Sequence, residues 1–318
     1  MSDAATPPEV GPPETRLPDA CAARARSSGE DPAGTASRVR RWLAVEHPGP
    51  WGREALADTR LSAPARRALE HAAATGAARV LFIRRPGLRW HGGPHRVFVA
   101  VTTARRRSLQ RLEVEALADL AAVDWSPLAA HQPLAGQQPA GDVTEAAGPL
   151  LLACAHGRHD PCCAERGRPL ARSLAVAEPD ATWESSHVGG CRFAANLVVL
   201  PEGLYYGHVD PAAAGGLVAA HRRGRVDLAH LRGRSNYPFA VQAAELALRR
   251  ATGLDGIDDV AVVSRRDADD RIELVFAGPG GARWQATVET THDPARPLTC
   301  HGAPSPPPRF AVGLAELR

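Results

Sequence analysis

The sequence predicts an α/β chain. Strand-length apolar runs alternate with segments of helical character, and Gly- and Pro-rich turns separate them. With 318 residues, 44% hydrophobic and 23% charged, the chain can bury a sizeable core and its length suggests two domains.

Residues 1–35, rich in Pro, Ala, Gly, Ser and charge and without apolar periodicity, are expected to form a disordered tail. An N-terminal α/β domain is expected over residues 36–145. There residues 38–46 lead into the turn His47-Pro48-Gly49-Pro50-Trp51-Gly52, residues 56–75 read as helix, and strands are predicted at 78–84 and 96–102. The Gln-, Pro- and Gly-rich stretch 127–146 marks the boundary.

A second domain is expected over residues 146–255. Its strand at 150–153 delivers Cys154 to a loop, and Asp160-Pro161 is the pair that caps and opens a helix. Pro169 predicts a kink or restart in that helix, since an interior proline costs about 3 kcal/mol. A strand at 181–186, a loop at 187–191, a hairpin across Pro201-Glu202-Gly203 and helices from Pro211 and Pro238 follow. This strand, helix, strand, hairpin, helix order is that of a thioredoxin-like domain. Residues 256–318 form a small C-terminal β-rich segment, with strands near Val260, Ile272 and Trp284 before a Pro-rich stretch at 304–308. Two α/β units of similar size leave a remote duplication open.

All 38 basic residues are arginine, and 35 acidic residues bring the net charge to +3. The Arg clusters at 105–107 and 222–234 read as solvated faces rather than a nucleic-acid surface, because no stacking aromatics are interleaved with them. A docking patch for an acidic redox partner is the sharper reading of the same clusters. No apolar run approaches the roughly 18 residues that cross a bilayer, and residues 1–13 lack the order of a secretion signal. No membrane partner, no nucleic acid and a cytoplasmic location are the expectations.

Six cysteines are too few for a disulfide scaffold, and four of them lie between Cys154 and Cys191. Cys154 and Cys163 enclose eight residues, while His187 and Cys191 enclose three; both pairs fall on loops at strand ends. Thiolates with one imidazole suit an iron-sulfur cluster or zinc, whereas Mg and Ca require oxygen ligands. An eight-residue interval makes a poor zinc knuckle and suits a wider two-iron core, and Gly189-Gly190 allows close backbone approach to it.

These residues carry a resemblance. Cys154-Ala155-His156-Gly157-Arg158-His159-Asp160-Pro161-Cys162-Cys163 and His187-Val188-Gly189-Gly190-Cys191-Arg192-Phe193-Ala194 resemble the two ligand loops of the sucrase/ferredoxin-like family of thioredoxin-fold [2Fe-2S] proteins, and residues 46–52 resemble its recurring N-terminal element. The resemblance implies a [2Fe-2S] cluster held by Cys154, Cys163, His187 and Cys191, and electron transfer as the function. Where some members carry His-x₃-His this chain has His187 and Cys191, which implies three cysteines and one histidine. The family's spacing favours Cys163 over its neighbour Cys162.

Cys162 is then a small packed side chain, or one arm of a redox disulfide that would make the chain a thiol-disulfide oxidoreductase. A structural zinc protein is the third reading. His156 and His159 are read as supporting donors or surface groups. Cys21 and Cys300 default to incidental, although Cys300 could reach the site in the fold. No Gly-rich dinucleotide fingerprint follows a strand, so the partner implied is a protein, either a reductase or an acceptor.

Overall fold

The computed structural model describes residues 20–87, 92–268 and 271–317. It begins with helix α1 (Cys21–Ser27), whose Cys21, Ala22 and Ala25 are buried. That corrects the expectation of a disordered tail as far as residue 35. Small residues can be held against a core that composition alone does not reveal, and residues 1–19 lie outside the description.

Strand β1 (Arg41–Glu46) is followed by α2 (Ala55–Asp58), α3 (Ala63–Gly76), β2 (Arg79–Arg84), β3 (His95–Thr102) and β4 (Arg107–Val114). The helix predicted at 56–75 is thus two, because Ser62 caps a new start by accepting from the Ala65 N–H at 3.3 Å, with Pro64 in its first turn. A short α4 (Ser126–Ala129) and three two-residue strands, β5 (Gln137–Gln138), β6 (Gly141–Asp142) and β7 (Thr144–Glu145), lead into the second half.

There β8 (Leu150–Cys154), α5 (Pro161–Ala177), β9 (Thr182–Ser185), β10 (Leu197–Leu200) and β11 (Leu204–Tyr206) follow the predicted order. They continue into α6 (Ala214–Arg222), β12 (Leu231–Arg234) and α7 (Phe239–Thr252). Helix α5 runs through Pro169 without a restart. Its burial of Cys163, Gly167, Leu170, Ala171 and Leu174 outweighs the proline's cost.

Among the described residues one sheet of ten strands runs β12-β11-β10-β8-β9-β2-β1-β3-β4-β7. Its two halves repeat a single topology. In each, the first strand pairs parallel with the second (β1 with β2, β8 with β9) and antiparallel with the third (β3, β10), and the third with the fourth (β4, β11). The halves meet where β2 and β9 pair antiparallel at Ile83–Ser185 and Arg84–Glu184, with an ion pair between Arg84 and Glu184 at 2.7 Å. The duplication that the sequence left open is therefore present as topology.

Because side chains alternate across a strand, each half sends one set of residues to each face. Leu151 and Ala153 pack with α5 and α6, and Leu43 and Val45 pack with α3. Trp42, Ala44, Leu81, Ile83, Leu150, Leu152 and Cys154 share a core on the opposite face that crosses the junction and includes Cys21, Cys162, Cys163 and Cys191.

The remaining strands β13 (Ala261–Asp267), β14 (Arg271–Ala277), β15 (Arg283–His292) and β16 (Pro308–Leu317) form a separate antiparallel sheet. It lays Leu274, Phe276, Ala286 and Val288 against Ala240, Val241, Ala244 and Leu248 of α7. The fold is the expected α/β one, with two α/β halves in the large sheet and a separate C-terminal β segment; β1, β4, the two-residue β5, β6 and β7, β12 and β16 add to the strands read from sequence. No helix among the described residues is long and apolar enough to cross a membrane.

Candidate metal centre

The first ligand loop leaves β8 and the second leaves β9, two parallel neighbours, so both open at the same end of the sheet. Asp160 caps α5 by accepting from the Cys162 N–H at 3.0 Å, and this fixes the first helical turn. Cys162 and Cys163 then diverge. Cys163 faces Cys154 and Cys191, whereas Cys162 faces Cys21 and Cys300.

The ligand atoms of Cys154, Cys163 and His187 all lie within 4.8 Å of one another, as do those of His159, His187 and Cys191. Cys191 Sγ is 3.7 Å from His187 Nδ1. All four sequence-predicted residues are thus brought together, and His159 joins them with its ring stacked on His187 at 3.7 Å between centroids.

The backbone carbonyls of the second loop are engaged by residues around it. The His187 carbonyl accepts from Arg79 at 2.8 Å, Val188 from Ser37 and Tyr205, Gly189 from Arg232 at 3.1 Å, and Gly190 from Asn196 at 2.9 Å. The Val188 N–H in turn donates to Cys154. Gly190 adopts φ +77°, and a Cβ there would sit 2.2 Å from the Arg232 guanidinium, so only glycine permits this approach.

His156 ties the two loops together. Its Nδ1 accepts from the His187 N–H at 3.2 Å, which leaves Nε2 to donate to the Gly52 carbonyl at 2.7 Å. The turn at residues 47–52 therefore has a role: it leaves the strand that corresponds to β8 and buttresses the first ligand loop, with Trp51 edge-on to His156.

The electrostatics favour thiolate. A hydrogen bond from the Cys163 thiol lowers Cys191 to about 5 against the opposing effect of burial, with help from His159 and His187. The same thiol, with His187, holds Cys154 well below the usual range, and Cys163 itself is pushed up as the donor. Burial disfavours charge on His187, yet Cys154 and Cys191 raise it to about 9. Arg232 is 1% exposed and, among the described residues, hydrogen-bonds neutral groups on Thr35, Gly189 and Asn196; burial lowers it to about 10 while Tyr205 and the Cys191 and Cys154 sulfurs act in the opposite sense. Metals bind the thiolate form of cysteine, so this donor set fits a thiophilic metal or cluster.

Sequence reasoning missed Arg232, Asn196 and Tyr205, which no local motif marks. It also defaulted Cys21 and Cys300 to incidental, while leaving open that Cys300 could reach the site; the fold corrects the first and places both against Cys162.

No curated protein matches the chain. A thioredoxin-like [2Fe-2S] ferredoxin from Aquifex aeolicus aligns with 29% of this chain and 97% of its own at 18% identity, with a TM-score of 0.25. The sucrase/ferredoxin-like family model matches residues 32–233, more than half of the chain and inclusive of both ligand loops, and the chain belongs to that family.

Proposed function

We propose that the chain holds a [2Fe-2S] cluster on Cys154, Cys163, His187 and Cys191 and acts as an electron carrier between protein partners, a reductase on one side and an acceptor on the other. The observation that carries this reading is the convergence of three sulfurs and an imidazole from two adjacent strand ends, with the Val188 N–H donating to Cys154. When bound, the cluster supplies reversible one-electron transfer.

The residues around it have separable tasks. Cys154 and Cys163 supply one pair of ligands, His187 and Cys191 the other. Arg232 offsets thiolate charge from a buried position, and His156 orients His187 through the backbone. His159, whose side chain is 22% exposed, stacks on His187 and extends the site toward solvent, where a partner protein docks.

Iron and acid-labile sulfide analysis of anaerobically purified protein tests the reading, with two of each per chain expected. Cys154→Ala, Cys163→Ala and Cys191→Ala should each lose most of this iron, whereas Cys162→Ala and His159→Ala should keep it. Histidine-ligated Rieske centres lie at about −150 to +300 mV and plant-type all-cysteine clusters near −400 mV, so His187→Cys should lower the potential. A folded, colourless protein with zinc on these residues and no sulfide after reconstitution would refute the proposal.

A further inference from the structure

A second set of donors lies beside the first. Cys21 from the start of α1, Cys162 from the first turn of α5 and Cys300 from the segment between β15 and β16 form a triangle of sulfurs. The Sγ separations are 3.6 Å for Cys21–Cys162, 3.4 Å for Cys162–Cys300 and 3.6 Å for Cys300–Cys21. Asp160 Oδ2 lies 3.7 Å from Cys21 Sγ, and the four ligand atoms are all within 4.8 Å of one another.

Tetrahedral zinc has Zn–S of about 2.3 Å and Zn–O of about 2.0–2.2 Å, which puts neighbouring sulfurs about 3.8 Å apart and sulfur and oxygen about 3.6 Å apart. The observed spacings match that frame to within a few tenths of an ångström. They are far from the roughly 2.05 Å of a disulfide bond. Cys21, Asp160 and Cys162 are 1%, 0% and 0% exposed and Cys300 is half-buried, so three of the four donors are shut off from solvent and no open position faces it except beside Cys300.

The surroundings suit bound thiolates as well. The Cys21 N–H donates to Cys300 Sγ at 3.5 Å and the Ala22 N–H to Cys162. Asp160 uses Oδ1 for the α5 cap and takes the Cys300 N–H on Oδ2 at 2.9 Å, which leaves a lone pair of Oδ2 for the triangle. We propose that Cys21, Cys162, Cys300 and Asp160 form a mononuclear structural zinc site, separate from the cluster ligands, that staples α1 and the segment between β15 and β16 to the first turn of α5. Zinc binding displaces the thiol protons to solvent and involves no change of oxidation state. The adjacent cysteines at 162 and 163 thereby serve two different centres.

Metal analysis of the full-length protein, exchanged into chelator-treated buffer, tests this independently of the cluster. About one zinc per chain should remain, and it should remain in Cys154→Ala, where the proposed cluster is lost. Cys162→Ser and Cys300→Ser should lose most of that zinc with iron and sulfide retained, and Cys300→His, a conservative ligand, should keep it. Should the serine variants fold poorly, cobalt(II) exchanged into the wild-type protein supplies the second measurement, with tetrahedral thiolate-cobalt absorption expected. The proposal is overturned by full zinc content in the combined Cys21→Ser, Cys162→Ser, Cys300→Ser variant, by iron in place of zinc at these residues, by a disulfide among them in peptide maps, or by a cobalt spectrum without thiolate bands.

Discussion

His208 shows how one side chain shapes the response of this fold to acid. It has φ +54°, stands edge-on to Phe193 at 5.4 Å between centroids, and neither ring nitrogen has a hydrogen-bond partner among the described residues. Burial, reinforced by the Arg26 and Arg232 guanidiniums, lowers it from 6.5 to about 4. A histidine depressed in the folded state contributes stability that is complete above its unfolded value near 6.5 and is lost as pH falls toward 4, up to about 3 kcal/mol. His208→Asn keeps a residue that tolerates the left-handed region and removes the titration. Urea denaturation between pH 7 and 4.5 should show a shallower fall in stability for the variant, and parallel falls in the two proteins would refute this. At this scale the sequence was most informative where partners are near in the chain, as with His187 and Cys191. It could not bring Cys21 and Cys300 together, because their 279-residue separation hides their contact.

At the scale of elements, α5 carries the first ligand loop, and its two poor helix formers differ in what they do. A Cβ at Gly167 would sit 1.8 Å from the Cys154 carbonyl oxygen, so glycine is what lets the helix lie on the end of β8. Gly167→Ala gains about 1 kcal/mol of helix propensity, but overpacking against backbone costs typically 1–3 kcal/mol and more where nothing can yield. The second effect should win, with net destabilisation of about 2 kcal/mol in chemical denaturation and loss of the proposed cluster as Cys154 is displaced; equal or greater stability with the iron content of the unmodified protein would contradict it. The start of this helix was legible in Asp160-Pro161, since capping chemistry is local. Its continuity through Pro169 was not, because that depends on tertiary burial. Strand β4 alternates buried Gln110, Leu112 and Val114 with exposed Arg111 and Glu113, but adjacent arginines masked the pattern.

For the whole molecule the decisive element is α7, which lies between the large sheet and the C-terminal one. Leu246 belongs to the core beneath β8 and β10, while Ala240, Ala244 and Leu248 belong to the core of the small sheet. Glu245 on this helix pairs with Arg234 of β12 at 3.0 Å and with Arg249 at 2.9 Å, all three side chains being at most 5% exposed. The two guanidiniums also bond the Leu254, Gly256 and Ile257 carbonyls, which fixes the chain as it leaves α7 for β13. Such a network was beyond sequence reading, because Glu245 and Arg249 look like an ordinary i,i+4 surface pair until β12 covers them. One buried carboxylate balances two buried cations, and breaking a buried pair by removing one charge costs about 3–5 kcal/mol. Glu245→Gln, which preserves shape, should therefore destabilise by about that amount, and far more than Glu273→Gln, whose partners Arg266 and Arg271 are exposed. Because the damage falls on the joint between the sheets, thermal unfolding of Glu245→Gln followed by both circular dichroism and Trp fluorescence should lose its coincidence, with the C-terminal sheet melting first. A single coincident transition with wild-type midpoint would show that the apolar contacts of α7 alone join the two sheets.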